Sequence, residues 1–292
     1  MNIAIIGCGE VGFSYATAIA NMKYSLHLCA PRPSEKIINL ISASRNVTLS
    51  KKIGNWLMSA DIVISCTPGN VALSVTKEAI PFMQKGALFA DFSSASPADK
   101  RQGALLANAN EVFFVDVVIM GAIDLAGART PLLCAGKRTD KIVDLMKALG
   151  APIHVLQNAE VGAAASLKLL RTVFTKGMAA LAVECIVSAE FLGVKGLLCE
   201  SLSDIDETPI NEFLDMLLRN HVVHACRQRH EIAEATQQLR SAGLPVQLLP
   251  SIEALFATTC KALVTVPLNT VNPTTEEALA WLLETRCVKT KL

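Results

Sequence analysis

Aromatic side chains are scarce in this sequence, at 5% of 292 residues, and its two tryptophans, Trp56 and Trp281, stand alone. Isolated rings of this kind read as packing residues, and no platform for stacking nucleobases is present. Charge is thin as well: charged residues make up 18%, and 27 basic side chains against 26 acidic ones leave a net charge of +1. With its lysines and arginines scattered, the chain lacks the electrostatic footprint of a protein that binds nucleic acid or a membrane surface. The nine cysteines are odd in number and form no CxxC pair, and Cys29, Cys66, Cys134 and Cys185 sit in apolar runs. That usage predicts a reducing compartment with neither a disulfide framework nor a zinc site, and no metal is expected. The first residues enter a strand without a basic region and a long apolar core, and no apolar run reads as long enough to span a bilayer. The expectation is a cytoplasmic protein.

What the chain has in quantity is apolar surface: 51% of residues are hydrophobic. The length suits two domains, each with its own core, and the surplus of apolar residues predicts a homodimer.

Residues 1–6 form a short apolar strand that runs into Gly7-Cys8-Gly9-Glu10-Val11-Gly12 and a helix ending near Met22. Gly7 permits the tight turn, Gly9 lets backbone approach a pyrophosphate, and Gly12 lets helix and strand pack closely, with helix amides aimed at anionic oxygen. A second strand, Ser25 to Ala30, ends where a carboxylate would hold the adenosine ribose of NAD. Ala30 stands there instead, and Arg32 two residues on can meet a 2'-phosphate, with Ser34 and Lys36 as helpers. The expected cofactor is therefore NADP, with NAD as the alternative.

The alternation continues through strands at Ile62 to Cys66, Leu88 to Asp91, Val112 to Val118, Pro131 to Ala135 and Pro152 to Val155. Thr67 and Pro68, after the first of these, belong to the cofactor side. After Asp91, Ser94 is expected to touch ligand and Ser96 to cap the next helix. Residues 1–157 thus predict an α/β doubly wound parallel sheet, a Rossmann domain. Beyond Asn158, read as an N-cap, strand signals vanish, and residues 158–292 predict an all-helical C-terminal domain for substrate binding and dimerisation. Its helices are expected at Ile210 to Leu218, His221 to Ala242, Ser251 to Val264 and Thr275 to Glu284, with a mobile connection from Val194 to Thr208.

The long helix at Glu160 to Leu192 organises the rest. It is apolar on most of its circumference and so is expected to be buried. Lys168, Arg171, Thr172, Thr175 and Lys176 share an arc of roughly 140°, which is expected to face the nucleotide cleft. Dehydrogenation of an alcohol requires a group that takes the hydroxyl proton, and reduction requires the same group to return it. Lys168, with apolar neighbours and other cations on its face, suits that task because both influences lower an amine's pKa. Arg171 and Lys176 can hold an anionic substrate and Thr172 can orient it. Glu184, on the opposite face, reads as structural, as do His27 and His154. His224, Arg227 and Glu231 read as a local ion-pair network, and Cys8 as a residue chosen for small size.

Four places in order, Gly7 to Gly12, Asp91-Phe92-Ser93-Ser94 with Pro97, Asp116 to Ala122, and Gly162 to Lys168, resemble the beta-hydroxyacid dehydrogenase superfamily. That superfamily includes 3-hydroxyisobutyrate, tartronate semialdehyde and 6-phosphogluconate dehydrogenases. Arg129 to Leu133, Thr175-Lys176-Gly177 and the helix around His224 are most similar to its phosphogluconate-dehydrogenase-like NAD(P)-binding branch. The resemblance implies that Lys168 is the general acid and base. Two departures stand out. Thr172, preceded by Arg171, replaces the family's usual asparagine, and Met120, Gly121 and Ala122 replace a serine and paired glycines in the substrate loop. The expectation is an NADP-dependent oxidoreductase acting on a small hydroxy acid or keto acid. The alternatives are a reductase of imines or ketopantoate-like acids, and a redox sensor that binds NADP without turnover.

Overall fold

In β1 (Asn2–Ile6), Ile3 and Ile5 enter one apolar layer while Ala4 and Ile6 enter another. Both faces of the strand are thus covered, which is why it reads as a continuous apolar run. The computed structural model describes residues 1–286. After β1 come α1 (Glu10–Ala20), β2 (Ser25–Cys29), α2 (Glu35–Ala43), β3 (Val47–Ser50), β4 (Ile62–Ser65) and α3 (Gly69–Ala79). The chain continues through β5 (Leu88–Asp91), α4 (Pro97–Ala109), β6 (Phe113–Ile119), α5 (Ile123–Ala126), β7 (Leu132–Gly136), α6 (Asp140–Ala148) and β8 (Ile153–Val155).

These strands make one sheet in the order β3-β2-β1-β4-β5-β6-β7-β8. The order reverses between β1 and β4, and the crevice beyond their carboxyl ends is where ligands bind such sheets. The expected all-parallel sheet needs one correction: β7 runs antiparallel to β6. Only the single turn of α5 and the 3-10 turn Gly127–Arg129 link the two. Neither turn is long enough to run back along the sheet as a crossover helix does, and the chain reverses instead. The edge strand β3 escaped the sequence reading because its residues are partly exposed and polar. Asn158 is not an N-cap. It adopts a left-handed backbone, φ 59°, ahead of the helix that starts at residue 163.

The helical part comprises α7 (Ala163–Phe191), α8 (Lys195–Ser201), α9 (Ser203–Asp206), α10 (Ile210–Ser241), α11 (Leu249–Thr265) and α12 (Thr275–Arg286). The residues form two compact units, Met1–Val173 and Phe174–Leu292, whose boundary falls inside α7. The segment expected to be mobile holds α8 and α9. The two helices expected on either side of residue 220 are one, since neither glycine nor proline interrupts residues 210–241. Gly243, φ 82°, ends that helix.

In the second unit, Val222 of α10 packs with Ala278, Trp281 and Leu282 of α12, and the Trp281 indole donates to the Val266 carbonyl at 2.9 Å. Glu184 is structural, as expected. Its carboxylate accepts from the backbone amides of Gln247, Leu248 and Leu249 and so caps the start of α11. Arg227 and Glu231 pair at 3.6 Å one turn apart. The expectation of no disulfide fails: Cys226 of α10 and Cys260 of α11 are bonded, with Cα atoms 5.0 Å apart. The two cysteines are 34 residues apart in the chain, and only the packing of the two helices brings them together.

Two expectations for α7 also fail. By length and composition this 29-residue helix is long and apolar enough to cross a membrane. It is also largely uncovered: Leu170 and Val173 are each 64% exposed. It is buried in its first turns, where Ala164 and Ala165 pack on Val118 of β6 and on Leu133 and Ala135 of β7, and again near its end at Ser188 and Ala189.

Candidate active site

The glycine turn is built by close approach. Gly7 has φ 89°, a conformation open to a residue without Cβ, and its amide donates to the Cys29 carbonyl at 3.0 Å. A Cβ on Gly12 would lie 1.9 Å from the Gly7 carbonyl oxygen, so α1 can start this near the sheet only with glycine there. At Gly9 the reverse holds: nothing lies within 4 Å of a Cβ position. That residue precedes Glu10 and Val11, and no side chain caps the first amides of α1. A groove lined by Cys8, Gly9, Ala30, Pro31, Arg32 and Ser34 adjoins the turn, with Arg32 exposed along it. Lys36 sits over the Phe13 ring. The Thr67 methyl group lies against the Gly7 position, and Pro68 leads into α3.

Uncapped amides, an open approach at Gly9 and the adjoining groove fit a dinucleotide. The amides at the start of α1 would meet the pyrophosphate and the groove would take the adenosine end. Cys8 has no part as a nucleophile. Burial, then the neighbouring Cys29, push its thiol up to about 12, against a weaker pull from its hydrogen bond to the Cys29 carbonyl.

A second cavity, of about 370 Å³, opens at the carboxyl ends of β5 and β6. The segment from Ser93 to Pro97 forms one wall, Val118 the floor, and Ala165, Lys168, Leu169 and Thr172 of α7 the other wall. Lys168 is half-buried, and burial, then the positive charge of Lys100, lower its pKa from the ordinary 10.5. Thr172 donates to the Lys168 carbonyl at 2.8 Å. Ser96 caps α4 by accepting from the Asp99 amide, as anticipated, and Ser93 accepts from the Ala95 amide, so Ser94 is the wall serine whose hydroxyl neither of these turns uses. A Cβ on Gly69, the first residue of α3, would lie 2.7 Å from the Ser94 carbonyl oxygen. The loop after β4 and the serine loop after β5 are therefore in contact.

The structure thus brings Ser94, Lys168 and Thr172 together around this cavity, and the other expected substrate residues are not among its lining. Arg171 is exposed and lies outside that lining, and Lys176 belongs to the second unit. Met120 packs beneath the start of α7. Gly121 and Ala122 face Thr130, whose hydroxyl donates to the Ala122 and Gly127 carbonyls.

Sequence reasoning missed three residues behind this cavity: Gly69, Lys100 and Asp116. Asp116 gave a signal, a carboxylate inside an otherwise apolar strand, which is costly without a buried partner. Its Oδ1 accepts from Lys100 at 2.7 Å, and its Oδ2 accepts from the amides of Gly162 and Ala165 at 3.1 and 2.9 Å. Lys100, flanked by Asp99 and Arg101, gave none.

The family model of the NAD binding domain of 6-phosphogluconate dehydrogenase matches residues 2–160. A 28.5 kDa protein from the 7S RNA 5' region of Methanothermus fervidus is 30% identical over 259 residues, spanning 88% of this chain and 98% of that one. Conserved protein MTH1747, whose structure is described as similar to 3-hydroxyacid dehydrogenases, is 25% identical with a TM-score of 0.63, covering 90% of this chain and 98% of its own. An imine reductase variant from Myxococcus stipitatus in complex with NAD+ superposes with a TM-score of 0.73 over 96% of this chain and 99% of its own. At 16% identity that likeness is one of fold. With its glycine turn, its sheet order and these matches, the chain belongs to the 6-phosphogluconate dehydrogenase-like branch of the beta-hydroxyacid dehydrogenase superfamily, with the fold of an NAD(P)-binding dehydrogenase or reductase.

Proposed function

We propose that the protein is an NADP-dependent oxidoreductase that interconverts a small hydroxy acid and its keto acid, with Lys168 as the general acid and base. The observation that carries this reading is the half-buried Lys168 amine, its pKa lowered, in a cavity walled by Ser94 and Thr172 at the carboxyl ends of β5 and β6. When bound, the nicotinamide cofactor supplies or receives the hydride. Lys168 takes the hydroxyl proton as an alcohol is oxidised and returns it when a carbonyl is reduced. Ser94 and Thr172 orient the substrate by hydrogen bonds. Arg32, exposed beside Ala30, favours a 2'-phosphate over a bare ribose.

A second reading, a reductase of imines, is favoured by the composition of the cavity. Lys168 is the charged side chain in its lining, and Val118, Ala165 and Leu169 are apolar. Such a wall suits a substrate with less charge than a hydroxy acid.

The uncovered apolar side chains of α7 support a homodimer in which a second copy covers them. A membrane span fits less well, because Glu184 within this helix caps α11 through three amides. Light scattering on the purified protein should give twice the chain mass.

The deciding experiment is NADPH oxidation against a panel of keto acids and a panel of cyclic imines, repeated with NADH. Reduction of keto acids supports the first reading, and turnover of imines alone supports the second. Tight NADPH binding with neither activity would leave a non-catalytic NADP sensor.

A further inference from the structure

Lys100 is among the largest fully buried side chains of the protein, and its ammonium group is 0% exposed. It donates to Asp116 Oδ1 at 2.7 Å, to the Asp91 carbonyl at 2.9 Å and to the Val117 carbonyl at 3.3 Å. An ammonium has three donors, so its capacity is filled. The two carboxylates it faces reach opposite walls of the Lys168 cavity. Asp91 Oδ2 lies 3.9 Å from Lys100, and Asp91 Oδ1 accepts from the Ser93 amide at 2.8 Å, which sets the turn of the serine wall. Asp116 Oδ2 accepts from Gly162 and Ala165, placing a carboxylate at the amino end of α7 and fixing where that helix begins.

The backbone is shaped to the same end. Gly162 has φ 95°, and a Cβ there would lie 2.9 Å from the Pro97 carbonyl oxygen and 3.0 Å from Arg101 Nη1. The starts of α4 and α7 therefore touch. A buried ion pair is weak evidence of stabilisation, since apolar residues of the same volume often hold a core as well. Apolar side chains have no means, however, of binding the backbone of β5, β6 and α7 at one point.

We propose that Lys100 is a positioning residue for Lys168: through Asp116 and the end of β5 it fastens both walls of the cavity in one register and sets the electrostatic environment of the amine. This rests on the assignment of Lys168 as the proton carrier and adds to it the residue that holds that carrier in place. The charges around Lys168 define what a test reads. The wall from Ser93 to Pro97 and Val118 carries none. On α4 they are Asp99, bonded to Ser96, together with Lys100 and Arg101. Beneath the cavity stand Asp91 and Asp116, and Arg171 follows on α7 itself.

The test is competitive acetylation of the full-length protein across pH, with the reactivity of the Lys168 amine read by peptide mass spectrometry. It needs no substrate. Lys100→Met removes a positive charge and leaves the Asp116 carboxylate, so the Lys168 midpoint should rise by roughly one pH unit. Lys100→Gln keeps donors for the same acceptors and should give the same sign where Lys100→Met does not fold. Asp116→Asn removes the negative charge and should move the midpoint the other way, below that of the wild type. A merely structural role loosens the cavity in every variant and moves each midpoint upward toward the ordinary value. Movement of the lysine and aspartate variants in one direction, or no movement, overturns the proposal. With an active substrate, the Lys100 variants should lose kcat by roughly 10- to 100-fold while retaining NADPH affinity. If the midpoints shift as stated but Lys168→Ala keeps full turnover, the assignment of Lys168 falls and the positioning by Lys100 stands.

Discussion

Gly12 lies so close to Gly7 that a Cβ on the first would stand 1.9 Å from the carbonyl oxygen of the second. Backbone cannot retreat as a flexible side chain can, so Gly12→Ala must push α1 away from the sheet. Overpacking of this kind costs about 1–3 kcal/mol. Gly9 is the control, since nothing lies within 4 Å of its Cβ position. Gly12→Ala should lower both the melting temperature and NADPH affinity, whereas Gly9→Ala should keep the melting temperature and lose affinity alone. Thermal unfolding with NADPH fluorescence titration measures both. Equal behaviour of the two variants would remove the pyrophosphate assignment.

Lys168→Ala should bind NADPH as the wild type does and lose roughly 10² to 10⁴ in turnover, the usual worth of acid-base catalysis. The pH profile has a defined sign. Burial, then Lys100, lower the pKa of this amine below 10.5. Reduction needs the protonated amine, so its rate should fall as pH rises through that lowered value. Oxidation needs the free amine and should rise over the same range. Profiles of kcat/KM in both directions give the midpoint.

Arg32 stands exposed beside Ala30 and Ser34 at the edge of the glycine turn. Arg32→Ala should raise the KM for NADPH while leaving that for NADH nearly unchanged, because the guanidinium acts on the 2'-phosphate alone. A wild-type enzyme that prefers NADH would sink the cofactor choice before the variant is made.

Glu184 caps α11 with a carboxylate, and loss of such a cap costs about 1 kcal/mol. Burial pushes its pKa up, but the amides of Leu248, Gln247 and Leu249 together outweigh that and hold it below 4.5. A carboxyl depressed in the folded state stabilises above its ordinary value, and that contribution is lost as pH falls through the folded one. Glu184→Gln should therefore melt below the wild type at neutral pH, and the gap should close on acidification. A constant gap would mean that the charge has no role.

The Cys226–Cys260 bond closes a loop of 34 residues. Cross-linking a loop of that size removes unfolded-state entropy worth about 3–4 kcal/mol. Reduction, or Cys226→Ser, should lower the denaturant midpoint, and thiol counting before and after reduction should differ by two. Equal counts would mean that the bond does not form.

Much of the first unit was legible in the sequence, because local rules govern it. Strands covered on both faces must be apolar throughout, as Ile62–Ser65 is, and a turn that must admit a pyrophosphate requires glycines at Gly7, Gly9 and Gly12. Lys168, Ser94 and Thr172 were legible through spacing along a helix and position after a strand. The antiparallel β7 was not. Its direction goes with a connection that holds two short turns and no crossover helix, while its composition is that of any buried strand.

The sequence by itself determined most of the strand and helix alternation of the first unit, the dinucleotide turn and the place of Lys168 on its helix, since each depends on residues within a few positions of one another. Only the tertiary structure decided that Arg171 lies outside the cavity lining, that Cys226 meets Cys260, and that Lys100 and Asp116 stand behind Lys168. A buried charge shows its purpose only through its partners. Those of Asp116 lie 16, 46 and 49 residues away along the chain, and packing alone brings them within reach.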